Sequence, residues 1–266
     1  MAGGDRPLAG RGVVLTRPRE QASGTQHALE SAGARVALFP VLEIAPEPES
    51  EALRAGAARA ARADWLIFAS PNAVRFGLPL IRAAGGPGPQ TRFAAVGEAT
   101  AVRLEREGIT PVIRPRHGAT SEDLLTEPEF VQAPGEHVMI VRGVGGRGYL
   151  AETLRQRGAS VEFLEVYRRR KPKAGPSAFH AAVLHDGPMD AAVVTSAEGL
   201  ENFLDLIGPK GRGWLAGAAL VVVSHRIAAL AAPWANRVEV AETPAADHLV
   251  AALMRALATR QQEQNR

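Results

Sequence analysis

A two-lobed α/β fold of doubly wound parallel sheets is predicted by three observations. The first is an internal repeat: Val13–Glu43 aligns without a gap on Val138–Arg168, placing Arg17 on Arg142, Leu29 on Leu154, Gly33 on Gly158, Val36 on Val161 and Val41 on Val166, each 125 positions on. Asp64–Ser70 then answers Asp190–Ser196 at a spacing of 126, with Leu78 on Leu204 and Ile81 on Ile207. The second is that each copy alternates short apolar runs with amphipathic helical segments, the pattern of parallel sheets covered by helices. The third is that strand after strand passes into a helix through a small, hydroxylic or basic turn, as at Ser70-Pro71 and Ser196. A duplicated α/β unit in 266 residues reads as two lobes, and two lobes imply a cleft.

The elements follow in order. Val13-Val-Leu15 and Val138-Met-Ile-Val141 open the two copies as strands, and the helices after them stop at Gly33 and Gly158, the residue that tolerates the left-handed conformation of a helix end. Val36–Phe39 and Val161–Val166 follow at once, making each stretch a βαβ unit. Pro46-Glu-Pro48 and Lys171-Pro-Lys-Ala-Gly-Pro176 are the linker candidates, and Arg168-Arg-Arg-Lys171 reads as a solvated connector. After them come alanine-rich helices and buried strands ending at Ser70 and Ser196. Ser70-Pro71 is a strong helix start, serine as N-cap and proline in the first turn. Val74, Leu78 and Ile81 continue one apolar face, as Leu200, Leu204 and Ile207 do in the second copy. Phe93–Val96 and Leu220–Val223 again run into helices, at Gly97–Thr100 and at Ser224-His225-Arg226. A last strand and helix close each copy, giving about five strands per copy. Only Met1–Gly12 and Thr259–Arg266 read as loose ends.

Composition narrows the function classes. Hydrophobic residues at 46% against 22% charged fit a globular chain without long disordered tracts. No apolar stretch approaches a membrane span, and the start lacks the apolar core of a signal peptide. The chain has no cysteine, which removes disulfides, thiol nucleophiles and thiolate ligands; a cytoplasmic protein is expected. Arginine dominates the 31 basic residues, and its two-pronged hydrogen bonds suit carboxylates and phosphates, although base composition explains the enrichment equally well. Interspersed acids and few aromatics argue against nucleic acid. The seven histidines show no ligand spacing, and the nearest pair, His180 and His185, is a poor helical match, so no metal is expected.

In doubly wound sheets ligands bind beyond the carboxyl ends of the strands. The residues there are Thr16-Arg17-Pro18, Ser70-Pro71-Asn72, Gly97–Thr100, Arg142–Gly148, Thr195-Ser196 and Ser224. Each serine or threonine alone reads first as a helix cap; recurrence of the set in both copies points to a ligand at helix N termini. Gly143-Val-Gly145-Gly-Arg-Gly148 formally matches a dinucleotide loop, with Glu165 near the place of a ribose-binding acid. Its counterpart in the first copy, Arg17-Pro-Arg-Glu20, has no glycine, which weakens that reading. Tyr167, one of two tyrosines, ends a strand; it reads either as a phenol donating a proton or hydrogen bond, or as an aromatic packed between lobes.

The chain resembles the uroporphyrinogen-III synthase family over nearly its whole length. The likeness rests on Val13-Val-Leu-Thr-Arg-Pro18, Phe39-Pro-Val-Leu-Glu43, Ser70-Pro-Asn-Ala-Val74, Ala95-Val-Gly97, Arg142-Gly-Val-Gly-Gly-Arg147, Val166-Tyr-Arg168, Thr195-Ser196, Gly199-Leu-Glu-Asn-Phe203 and Val223-Ser-His-Arg-Ile227. Single motifs are weak; their order and spacing together are specific. The resemblance implies a cofactor-free lyase that cyclises linear hydroxymethylbilane to uroporphyrinogen III, losing water and inverting the terminal pyrrole ring. It also implies that the chain crosses between lobes after the second strand of each repeat: residues 1–39 with 169–266 form one lobe, and 42–165 form a second inserted in it. A two-stranded hinge at 39–43 and 164–168 joins them. Tyr167 would serve as proton or hydrogen-bond donor. Arg17, Ser70, Asn72, Gly97, Thr100, Arg142, Gly145, Gly146, Arg147, Ser196 and Ser224 would hold the substrate, a linear tetrapyrrole polycarboxylate. Where several relatives carry a hydroxyl near Ser224, this chain has His225. A monomer, in transient contact with the preceding enzyme of the pathway, is expected. The competing reading is a two-lobed small-anion-binding protein without catalysis.

Overall fold

Strands whose residues are all buried need cover on both faces, and Gly12–Leu15, Trp65–Phe68, Ala191–Val194 and Ala219–Val222 are of that kind. The computed structural model describes residues 6–131, 134–183 and 187–264. Met1–Asp5, His185 and Asn265-Arg266 lie outside them. The chain forms two units, one of Met1–Glu43 with Arg170–Arg266, the other of Ile44–Arg169.

The first unit begins with β1 (Gly12–Leu15), α1 (Arg19–Ser31) and β2 (Arg35–Leu38). The second holds most of β3 (Glu43–Pro46), then α2 (Glu51–Ala60), β4 (Trp65–Phe68), α3 (Pro71–Ala83), β5 (Arg92–Ala95), α4 (Glu98–Arg106) and β6 (Val112–Ile113). It goes on through the one-turn helices α5 (Ser121–Leu124) and α6 (Pro128–Val131) to β7 (His137–Gly143), α7 (Tyr149–Gln156) and β8 (Ser160–Arg170). The first unit resumes with α8 (Pro176–Val183), β9 (Ala191–Val194), α9 (Ala197–Gly217), β10 (Ala219–Val222), α10 (His225–Ala231), β11 (Arg237–Val240) and α11 (Ala246–Gln264).

Its sheet runs β11-β10-β9-β1-β2, and that of the second unit β6-β5-β4-β7-β8-β3. Every neighbouring pair from β11 to β2 and from β6 to β8 is parallel. Read through the repeat, the two orders are the same: β1 and β2 correspond to β7 and β8, and β9, β10 and β11 to β4, β5 and β6. Each sheet therefore combines the first half of one copy with the second half of the other. Each also has a reversal of strand order at its centre, between β1 and β9 and between β7 and β4.

Each unit has its own apolar layers. Val14, Phe39, Phe179, Phe203 and Val222 share one layer of the first unit, and Leu15, Leu29, Val193, Val221 and Leu253 the other. In the second, Phe68, Leu78, Met139, Val141 and Val166 pack on one face of the sheet and Trp65, Ile67, Phe130, Ile140 and Leu154 on the other. The helix ends follow the glycines as expected. Gly33 and Gly158 have φ of 95° and 93°, and the next residues, Ala34 and Ala159, return hydrogen bonds to Leu29 and Leu154.

Three expectations are corrected. Arg168–Lys171 is exposed, as expected of a charge run, but it is no connector: β8 continues through Arg170, with Arg170 paired to Glu43 at the start of β3 and Arg168 to Glu47 just after it, while Lys171 pairs with Asp205. The start is not loose up to Gly12, since Leu8 is buried and its N–H donates to Ala32. Nor is the far end loose from Thr259, as α11 continues through Gln264.

Candidate active site

At the carboxyl ends of β4 and β7, on either side of its strand-order reversal, the second unit gathers Ser70 and the loop 143–148, with Tyr167 beside them inside β8, opposite Gly143. Ser70 is the N-cap of α3, its extended backbone leaving Oγ to accept the Ala73 N–H at 3.1 Å. Pro71 occupies the first helical position, where no N–H is missed. The capping bond uses only an acceptor site of Ser70, and its Oγ lies 3.0 Å from the Tyr167 hydroxyl, a pair in which either oxygen can donate. Tyr167 is 6% exposed, and its ring lies against Gly143 so closely that a Cβ there would come within 2.6 Å of Cζ. Val144 donates its N–H to the Tyr167 carbonyl at 2.8 Å, so tyrosine and loop are held together twice.

The loop itself is organised by Arg142. The guanidinium is buried, donates to the carbonyls of Gly143, Gly146 and Arg147 at 3.1, 2.6 and 3.2 Å, and lies 4.4 Å above the Phe163 ring. Glu165 stands 3.5 Å from its Nε. Gly145 is exposed with φ of 78°, and Gly146 and Arg147 are exposed beside it. Arg147 pairs with Glu122 at 2.9 Å; a backbone N–H and Arg147 hold the Glu122 carboxyl below its ordinary value.

The first unit has its own set at the ends of β1, β9, β10 and β11. Arg17 donates to Thr25 Oγ1 and to the Pro244 carbonyl, both at 2.9 Å, and burial lowers its pKa from the ordinary arginine value. A partly desolvated cation of this kind attracts an anion more strongly than one in bulk water. Ser196 and Ser224 cap α9 and α10, accepting from Gly199 and Ile227 at 2.9 and 3.3 Å. Both keep their own O–H proton for another acceptor. His225, next to Ser224, is exposed.

The structure thus brings Ser70, Tyr167, Gly145, Gly146 and Arg147 to one region of the second unit, and Arg17, Ser196 and Ser224 to the strand ends of the first. Asn72 is half-buried in the first turn of α3, and Gly97 caps α4 without a side chain. Three residues are more buried than expected. Thr100 is 3% exposed on the inner face of α4 and Arg142 is 7% exposed with its donors on carbonyls, so neither side chain stands open for direct contact; Tyr167 is 6% exposed, with its hydroxyl on Ser70. Sequence reasoning passed over Thr243 and His248. Thr243 Oγ1 takes the Ala245 N–H at 3.2 Å and lies 2.9 Å from His248 Nδ1, opening α11. The signal was available, since Thr243-Pro244 repeats the hydroxyl-proline start of Ser70-Pro71.

The glycines matching a dinucleotide loop have other tasks here. Gly143 makes room for Tyr167, and a Cβ on Gly148 would come within 2.6 Å of the Glu152 carboxylate. Among the described residues, no three histidine or acidic side chains are grouped to hold a metal ion, and no helix is long and apolar enough to cross a membrane.

Fold and sites together define a two-unit α/β protein whose sheets each end, at a strand-order reversal, in hydroxyl-capped helix N termini and arginines, an arrangement suited to a polyanion. A family model described as uroporphyrinogen-III synthase HemD matches residues 23–251. The uroporphyrinogen-III synthases of Escherichia coli K12 and Salmonella typhimurium LT2 are 30% and 32% identical, each alignment covering 91% of this chain and 99% of the relative. A solved mutant uroporphyrinogen III synthase of the extremely thermophilic bacterium Thermus thermophilus has a TM-score of 0.54 at 19% identity, covering 94% of this chain and 99% of that one, a likeness of fold. The chain belongs to the uroporphyrinogen-III synthase family.

Proposed function

We propose that the chain converts hydroxymethylbilane to uroporphyrinogen III, with Tyr167 as donor to the leaving hydroxyl and the strand-end residues as receptors for substrate carboxylates. The family match over residues 23–251 carries this reading. The local geometry suits the chemistry. The terminal hydroxymethyl C–O bond breaks with its electron pair going to oxygen, which takes a proton and leaves as water. The lone pair of the pyrrole nitrogen fills the carbon left behind, giving an azafulvene cation. The cationic carbon then bonds the α-carbon of the terminal ring that already carries its methylene bridge, giving a spiro intermediate. The old bridge bond breaks to leave an azafulvene cation on the neighbouring ring, and that carbon bonds the free α-carbon of the terminal ring, which releases a proton as the macrocycle closes with the ring inverted. Such a departure needs mainly a proton or hydrogen bond at the leaving oxygen, and the Tyr167 hydroxyl beside Ser70 supplies one within a short relay.

The many carboxylates of the substrate call for donors rather than an apolar pocket. Ser196 and Ser224 offer O–H groups, while Ser70 turns its own to Tyr167; Gly97 and Gly146 offer backbone N–H groups, and that of Gly145, which now donates to Glu165 at 3.4 Å, would have to exchange this carboxylate for one of the substrate's; Asn72 offers an amide. Arg17 and Arg147 offer charge. Thr100 acts from behind Gly97, its own N–H bonded to the Gly97 carbonyl at 3.0 Å. Because hydroxymethylbilane closes unaided to the wrong isomer, the main task of the protein is to hold the chain so that inversion precedes closure. The hinge of 39–43 and 164–168 belongs to this reading, as do a monomeric state, a cytoplasmic location, independence of any cofactor and a transient contact with the enzyme that supplies the unstable substrate.

A binding protein without catalysis would share the receptors and differ in turnover. Hydroxymethylbilane in hundredfold excess over the chain separates the two: many equivalents of uroporphyrinogen III support the synthase, and a stable stoichiometric complex without product refutes it.

A further inference from the structure

The burial of Arg142 raises the question of what a cation does when its donors serve the carbonyls of its own loop and its charge is answered by Glu165 at 3.5 Å. A trans peptide plane fixes the answer, because the C=O of one residue and the N–H of the next point in opposite directions. The Gly146 and Arg147 carbonyls turn to the guanidinium at 2.6 and 3.2 Å. The N–H groups of Arg147 and Gly148 are therefore turned away from it. Among the described residues these two N–H groups have no acceptor. We infer that Arg142 is a positioning residue, which turns consecutive N–H groups of the 147–148 segment outward as the receptor for one substrate carboxylate. This rests on the synthase reading and assigns Arg142 a place behind the receptor instead of in contact with substrate.

Three features fit that role. The planar fork of arginine reaches three carbonyls at once, which an ammonium on a flexible stem does not reproduce. Phe163 lies beneath the guanidinium at 4.4 Å and limits its movement. A Cβ on Gly146 would meet the guanidinium at 3.0 Å, so a side chain there would push the arginine back by a few tenths of an ångström. The paired positive charge also raises the affinity of the outward N–H groups for an anion, since it polarises the peptides between them.

The test is an amide titration of the full chain with uroporphyrin, a cyclic tetrapyrrole polycarboxylate, followed by ¹H–¹⁵N spectra. In the wild type the Arg147 and Gly148 resonances shift on binding. In Arg142→Lys, which keeps the charge, these shifts are lost while the spectrum stays that of a folded protein. KM for hydroxymethylbilane rises about tenfold with kcat changed less than about twofold, the signature of lost uniform binding. Gly146→Ala, which keeps the arginine but displaces its guanidinium, gives the same pattern and serves should Arg142→Lys fail to fold. Wild-type shifts and KM in either folded variant overturn the inference, as does an Arg142→Lys effect that Gly146→Ala does not share. Since the titration needs no turnover, a wild type that makes no uroporphyrinogen III defeats the synthase reading and leaves the test of Arg142 intact.

Discussion

Removing the Tyr167 hydroxyl should slow the enzyme without stopping it. Tyr167→Phe keeps the ring against Gly143 but leaves no donor at the leaving oxygen, so kcat is expected to fall about 10- to 100-fold, at the low end for general acid catalysis because the substrate is reactive by itself. Steady-state turnover measures this, and an unchanged kcat would reduce the tyrosine to packing. Ser70 carries two roles at once. Ser70→Ala removes the cap of α3 and the partner of Tyr167, and is expected to cost about 1–2 kcal/mol in denaturant unfolding. A loss within error would show that water replaces both bonds. Much at this scale was legible: Ser70-Pro71 announced a capped helix, and Tyr167 stood out as a rare aromatic, although β8 runs on to Arg170 and does not end there. Their hydrogen bond was not, because the residues lie 97 positions apart and only the strand order brings them together. The retreat of Arg142 into its loop was hidden for a similar reason, since burial of an arginine depends on which carbonyls turn towards it.

Among the elements, β3 and β8 show how charge and strand formation combine. The run Arg168-Arg-Arg170 alternates like any strand, and Arg168 and Arg170 meet Glu47 and Glu43, so charges that suggest solvation serve as cross-strand pairs. The Arg168 hydrogen bond, with its charge, holds the Glu47 carboxyl below the usual carboxylate range against opposing desolvation. A carboxyl whose pKa is lower in the folded state stabilises fully above its unfolded value and loses that contribution as pH falls through the folded value. Melting temperatures of the wild type and Glu47→Gln should therefore differ near neutrality and converge in acid below the ordinary carboxylate range. A difference that persisted unchanged there would mean that Glu47 acts through packing. The regular elements were legible from period and glycine stops. Where glycine acts inside an element it was less so: α9 breaks at Gly208, with φ of 63°, and Pro209 restarts it in a proline-tolerant first turn.

At the scale of the whole molecule the repeat holds two kinds of information. Its spacing alone suggests one lobe per copy, whereas the strand orders show each sheet built from halves of both copies, β1 beside β9 and β7 beside β4. Periodicity cannot distinguish these, because equivalent strands of the two copies carry equally apolar sequences and either pairing buries them. The resemblance to a family supplied the exchange, and the family match over residues 23–251 supplied the reaction. The four apolar layers keep to their own units, so each sheet has an independent core on which its strand-end receptors rest. The central claim is that these receptors impose an order of events on a substrate that cyclises unaided. It is tested most directly by supplying freshly made hydroxymethylbilane to the wild-type chain, oxidising the products and separating the porphyrin isomers. Predominantly type III porphyrin, formed faster than the uncatalysed closure, is the predicted result; type I porphyrin at the uncatalysed rate would contradict it.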